Sequence, residues 1–393
     1  MLCRDAFACL SRRIILALIW LLGARDFSAT ASASPNYFVR VWQAEQGLPQ
    51  NKVTAVVQTR DGYLWVGTYS GLARFDGVRF TVFDGNNTPE LRNSRVTSLF
   101  EARDGTLWIG DESGQVTQYR NGRFKAVEFH PAWNGGKIYE ITSDQSGDVW
   151  VMSEAGQLAR LDDGLVLTPQ AGTAAKIVNV ARSASGTIWV ARDGRVSELN
   201  HGGLHPLQFN EAATNTYVLG IGASRDGGLW VAVDGRIKKW KDEKWVADLG
   251  PTPWGSISVT RWIETQKGVL VAGSSINGLY LMPPGTAGKP LHFDHASAFP
   301  SDWVIDLCED REGNLWAGTG GGLAVLRPSN IQTVSPPDQW QRRAVLSVCP
   351  GQRGALWIGT EGAGLYRFQN DAWTNFGSSQ GILNPYILSL IHI

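Results

Sequence analysis

The side chains best suited to recognition chemistry are Asn51, Trp133, Tyr217, Trp254, Trp303 and Trp340, each lying shortly before a short β-rich stretch. Aromatic rings gathered at one rim would stack on a glycan or another ring-bearing ligand, leaving polar edges for hydrogen bonds. The alternative is that the same rings pack beneath loops as additional core. Acids fill a second recurrent place, at Glu112, Glu154, Asp193, Asp234 and Glu361. A ring of them would hold a cation, but acids in tight turns mostly cap their own backbone. His292 and His295 flank Phe293-Asp294. With no cysteine or second histidine cluster to complete four ligands, a solvated loop is expected there. His130, His201 and His205 are isolated. No metal, no cofactor and no catalytic residue is expected.

What must position these residues is a repeat. A tryptophan recurs at Trp65, Trp108, Trp150, Trp189, Trp230, Trp316 and Trp357, with Val271 in its place in the sixth copy. The steps are 43, 42, 39, 41, 41, 45 and 41 residues. Three residues before each of these eight positions stands a glycine: Gly62, Gly105, Gly147, Gly186, Gly227, Gly268, Gly313 and Gly354. Glycine accepts positive φ without steric cost, so pairs such as Asp61-Gly62 mark a hairpin between two short strands. Four such strands per period of about 42 residues match the blade of a β-propeller, and the tryptophans are then the structural core between blades. Outside the N-terminus no helical periodicity is sustained.

The order of Tyr37-Phe38-Val39-Arg40-Val41-Trp42 and Gln46-Gly47-Leu48-Pro49 returns at Trp373-Thr374-Asn375-Phe376 and Gln380-Gly381-Ile382. The first segment is therefore a fourth strand without a blade of its own, suited to closing a ring and removing an open edge. The expected layout is a seven-bladed propeller over residues 36–334. An eighth repeat over 338–387 then begins a second propeller, the alternative being one eight-bladed ring. Asn384-Pro385-Tyr386-Ile387 reads as the start of a ninth repeat, and residues 388–393 (His392 included) as a sequencing or truncation artefact.

Arg4, Arg12 and Arg13 precede the apolar run Ile14 to Leu22, and Ala29-Thr30-Ala31-Ser32-Ala33 follows it. This is the order of a secretory signal over residues 1–33, too short in its apolar part for a spanning helix. Cleavage after Ala33 leaves 32 basic and 34 acidic residues, a net charge of about −2, which gives no electrostatic reason to expect nucleic acid. Two cysteines remain, Cys308 and Cys349, at equivalent places in consecutive repeats, where free thiols are expected rather than a bridge.

Gly47-Leu48-Pro49-Gln50-Asn51, with Asp61-Gly62-x-Leu64-Trp65-Val66-Gly67-Thr68-x-x-Gly71-Leu72-x-Arg74-Phe75-Asp76-Gly77, resembles the two-component regulator propeller repeat. Glu309 to Thr319 and Gly354 to Thr360 match nearly as well. The middle copies depart, with Met152, Ala191 and Ala232 in place of the second glycine. The resemblance implies the periplasmic sensor of a two-component-type signalling protein. In that family two consecutive propellers are followed by a further β-domain, a membrane helix and an output such as a histidine kinase or diguanylate cyclase. It therefore implies, as partners, a small-molecule or glycan-type ligand and C-terminal domains of the same polypeptide, with a homodimer of the full-length parent left open. The parent would be anchored in the inner membrane, and the residues present would not be an enzyme. A secreted protein-interaction scaffold and, further off, a lyase-type propeller enzyme are the alternatives.

Overall fold

The computed structural model describes residues 37–127, 136–162, 165–167, 177–200, 203–209, 217–284, 290–329, 334, 337, 340, 343–370 and 372–391. The expected export signal, Trp133, His130, His201 and His392 lie outside the described residues. The chain divides into two compact units, residues 1–330 and 331–393.

In the first unit, blade 1 (residues 53–83) is an antiparallel meander of Val53–Gln58, Leu64–Thr68, Gly71–Phe75 and Phe80–Phe83. Blades 2 to 6 (residues 96–126, 138–167, 177–206, 218–251 and 259–293) repeat it. Between the first two strands, Thr59 N–H donates to Tyr63 O at 2.9 Å and Gly62 N–H to Thr59 O at 2.8 Å. That turn holds Gly62 at φ 93°, and the seven equivalent glycines have φ from 74° to 99°. A side chain there would be strained, which is why glycine recurs.

Blade 7 takes Val304–Glu309, Leu315–Thr319 and Gly322–Pro328 from its own repeat and its outer strand from Tyr37–Trp42. The pairing is antiparallel, with Tyr37 opposite Pro328 and Trp42 opposite Leu323. First strands neighbour one another in a closed series from blade 1 to blade 7 and back to blade 1. The fold is an all-β propeller, and the N-terminal strand closes its ring.

Two devices join the blades. The repeated tryptophan of each blade packs against the next: Trp65 with Val96 and Leu107, Trp189 with Val218 and Ile221, Trp316 with Val53 and Leu64. Val271 does the same against Val304 and Leu307. Trp65, Trp150, Trp189, Trp230 and Trp316 are buried, and Trp108 half-buried. Each buried indole removes about 150–250 Å² from water, which no isolated blade could achieve. Several indole N–H groups are also satisfied, Trp150 by Asp144 Oδ2 at 2.9 Å and Trp316 by Asp310 Oδ2 at 2.8 Å.

The second device is a close approach. A Cβ on Gly67 would lie 2.7 Å from Val96 Cγ1, one on Gly110 2.6 Å from Ile138 Cγ2, and one on Gly318 2.6 Å from Val53 Cγ1. The glycine two residues after the tryptophan thus admits the first β-branched residue of the following blade. Around the turns on the opposite face, the last residue of a first strand accepts from the preceding blade: Glu101 from Arg60 N–H, Glu309 from Gln266 N–H. Gln58 Oε1 accepts from Arg311 N–H at 2.9 Å, so the seam between blades 7 and 1 is bonded like the others.

The second unit holds one sheet, of Val345–Pro350, Leu356–Thr360, Leu365–Gln369 and Ala372–Phe376. Trp357 is half-buried there, packed on Phe376 with Arg367 over its ring. Ile387 packs at Gly359 as Val96 does at Gly67, and its N–H donates to Thr360 O at 3.1 Å. Among the described residues the only helices are short 3-10 turns, and no helix is long and apolar enough to cross a membrane. Cys308 and Cys349 are free, and burial pushes the Cys308 thiol up to about 12.

Candidate functional site

One face of the ring carries the connections from fourth to first strands and from second to third strands. The residue just before each first strand meets the residue just after the second strand, as the bonds Glu112 N–H to Arg95 O, Glu154 N–H to Lys137 O and Gly320 N–H to Trp303 O show. These paired positions form the rim.

From blade 7 to blade 2 the rim is a continuous array of rings and cations. The Lys52 ammonium lies 4.4 Å from the Trp303 ring centre and 4.5 Å from that of Tyr69. The Arg95 guanidinium lies 5.2 Å from the Tyr69 ring centre and pairs with Glu112 at 2.6 Å. On blade 3, Lys137 pairs with Glu154 at 3.3 Å. Burial, then the like charge of Lys137, holds the Lys52 pKa below the ordinary lysine range. Cation–π contacts of this kind contribute about 0.5–2 kcal/mol each, more as water is excluded.

Trp303 remains 41% exposed and backs a shallow depression with Ile276, Pro300, Asp302 and His295. Tyr217, 61% exposed, lies over Gly194, where a Cβ would come within 2.8 Å of its ring. Among the described residues, the exposed rim rings Tyr217 and Trp303 are thus on blades 5 and 7, and the cations Lys52, Arg95 and Lys137 on blades 1 to 3.

Of the six residues singled out in the sequence, the five described ones are not brought together. Trp303 and Tyr217 are on the rim and open to solvent. The Asn51 carboxamide oxygen accepts from Ala44 N–H at 2.7 Å, so it holds the preceding 3-10 turn. Trp254 is buried, edge-on to Trp262 at 5.5 Å, and presents no face to a ligand. Trp340 belongs to the second unit, buried in a stack with Tyr366 at 5.0 Å. Both are loop rings recruited as core. The acids differ too: Glu112 and Glu154 pair with rim cations instead of capping their own turns, while Asp193 and Asp234 occupy left-handed turn positions at φ 50° and 51°. His292 is on an outer strand, not in a solvated loop; its ring stacks on Tyr280 at 4.3 Å and its Nε2 lies 2.8 Å from Asn277 O.

Below the rim the ring axis is polar. Every first strand carries a bulge after its first residue. The residue that follows the bulge is Ser98, Glu140, Asn179, Arg261 or Asp306 in five of the blades. Arg261 Nε donates to Asp306 at 2.7 Å, and its Nη1 to Glu140 at 2.9 Å. Blades 6 and 3 face each other across the ring, so the second bond spans the axis. Asn179 adds a donation to Thr260 O at 2.9 Å. Asp306 also accepts from Val56 N–H at 2.8 Å, across the closing seam. Burial raises the Glu140 pKa; Arg261 opposes the shift and the Asp306 carboxylate adds to it.

Residues 47–70, 90–113 and 298–321 match the family model "Two component regulator propeller". No curated protein matches the chain. Among solved structures it is similar to the extracellular domain of BT3049, described as a hybrid two component system of B. thetaiotaomicron, at 19% identity and TM-score 0.66. The match covers 90% of this chain and 50% of that one. The extracellular domain of BT4673 from B. thetaiotaomicron, described as a one component system, matches at 17% identity and TM-score 0.59, over 86% of this chain and 47% of that one. The chain thus spans about half the length of both. A virginiamycin B lyase from Staphylococcus aureus shares the fold at 14% identity and TM-score 0.58, over 75% of this chain and all of that one. Three segments of this ring, in blades 1, 2 and 7, thus match the two-component regulator propeller repeat.

Proposed function

We propose that the chain is the extracytoplasmic ligand-binding sensor propeller of a two-component-type signalling protein, exported by residues 1–33. In this reading the eighth repeat starts a second propeller, and occupancy is relayed to an output domain of a longer, membrane-anchored parent. The observation that carries the reading is the rim array of Trp303, Lys52 and Tyr69, where an open indole face stands beside a cation held by rings. Such a surface binds a ring-bearing small molecule by stacking and polar edges. Of the described histidines, His205 and His292 lie on outer strands, and His295 follows one at the edge of the depression beside Trp303.

A thermal-shift screen of the whole chain against neutral and acidic disaccharides and aromatic acids tests this. A ligand at 100 times its Kd should add about 2.7 kcal/mol, and Trp303→Ala should abolish the shift. A ligand whose shift is unaffected by Trp303→Ala refutes the rim as the site.

A further inference from the structure

We propose that the rim recognises an oxyanion carried on a ring, with the anionic group beside Lys52 and the ring laid against Trp303. This rests on the reading of the rim as a ligand site, and adds the ligand's charge and orientation. The three cations of the rim are unequally matched. Arg95 has Glu112 at 2.6 Å and Lys137 has Glu154 at 3.3 Å. Lys52 has two aromatic faces but, among the described residues, no carboxylate within salt-bridge reach. The Lys52 residue is half-buried; Lys137 and Arg95 add like charge, which Glu112 opposes from beyond salt-bridge reach. Positive charge is thus concentrated at one partly dehydrated atom between two rings, an arrangement that an arriving anion relieves and a neutral ligand does not.

Geometry supplies the rest. Trp303 lines the depression with Ile276, Pro300 and Asp302, on blades 6 and 7, whereas Lys137 and Arg95 belong to blades 3 and 2. A ligand ring stacked there would direct an anionic substituent toward Lys52. A carboxylate or sulfate ester on a ring meets both demands; a bare inorganic anion meets only one, and a cation meets neither.

The test is calorimetric titration of the full chain with digalacturonate, 4-hydroxybenzoate, cellobiose and sodium sulfate. We expect one of the two acids to bind and to lose about tenfold or more in affinity in Lys52→Met and in Trp303→Ala. Lys52→Arg, which keeps charge and ring contact, should retain most of it, and binding should weaken as salt rises from about 20 to 200 mM. Which acid binds identifies a sugar or an aromatic carrier. Acid binding that is indifferent to Lys52→Met overturns the proposal. So does sulfate binding as tightly as the acids, or neither acid binding. Cellobiose binding that depends on Trp303 but not on Lys52 overturns the anion assignment while leaving the rim as a ligand site. Absence of binding by all four, with melting temperatures of the variants unchanged, removes both.

Discussion

Arg261→Met would leave Glu140 and Asp306 facing each other across the axis with no cation between them. Both bonds are short, 2.9 Å and 2.7 Å, and at an effective dielectric near 20 each bare attraction is about 6 kcal/mol. Desolvation offsets most of it, and breaking a buried pair from one side costs about 3–5 kcal/mol. Because the guanidinium is 25% exposed, the lower end applies, about 3 kcal/mol. In a unit of this size that lowers the melting temperature by roughly 6 °C. Urea unfolding followed by tryptophan fluorescence measures the loss. The triple variant Arg261→Met, Glu140→Gln, Asp306→Asn removes the stranded charges and should recover most of it, since the carboxamide that replaces the Asp306 carboxylate keeps an oxygen for Val56 N–H. A loss below about 1 kcal/mol, or a triple variant no more stable than the single, refutes the view that the axis is held by charge.

Gly273→Ala places a methyl 2.5 Å from Val304 Cγ1, so it should cost about 1–3 kcal/mol, and pairing it with Val304→Ala should return part of that in a double-mutant cycle. Strict additivity would sink the close-approach account. The raised Glu140 pKa has a definite sign. The folded carboxyl keeps a proton that the unfolded one loses, so this group's contribution to stability is full below about pH 4.5 and declines as pH rises through the folded value. Stability against pH should therefore be flatter on the rise from pH 4.5 in Glu140→Gln than in the parent. An identical slope in the two proteins contradicts the raised pKa.

The ring was legible in the sequence because its demands fall on residue types that few others satisfy. Only glycine suits φ near 90° at Gly62 and its equivalents, and only a large ring fills the seam that Trp65 or Trp316 fills. The orphan strand Tyr37 to Trp42 could be recognised because its pattern returns at residues 373–376. The site was less legible. Loop aromatics include the exposed Trp303 and Tyr217 but also the buried Trp254, because a loop ring that turns inward has the same spelling as one that turns outward. Lys52, Tyr69 and Arg95 were missed, although a signal existed: the residue before the first strand is Lys52, Arg95, Lys137 and Lys176 in four consecutive repeats. The axial triad was hidden more deeply. Glu140, Arg261 and Asp306 share one repeat position, but that two of them meet follows only from knowing which blades oppose each other in a ring of seven.

Ring closure and the rim are one problem in this molecule. Lys52 opens blade 1 and Trp303 precedes the first strand of blade 7, so 251 residues of chain separate them. They touch because Tyr37–Trp42 completes blade 7 and because Asp306, Gln58 and Trp316 bond or pack across the same seam. A ligand that contacts both Lys52 and Trp303 binds the closed ring and not an opened one, so its binding free energy adds directly to closure. The reverse also holds: whatever loosens the Tyr37–Trp42 strand separates the two halves of the site. Asp306 links this seam to Arg261, and Arg261 links it to Glu140 on the far side of the axis.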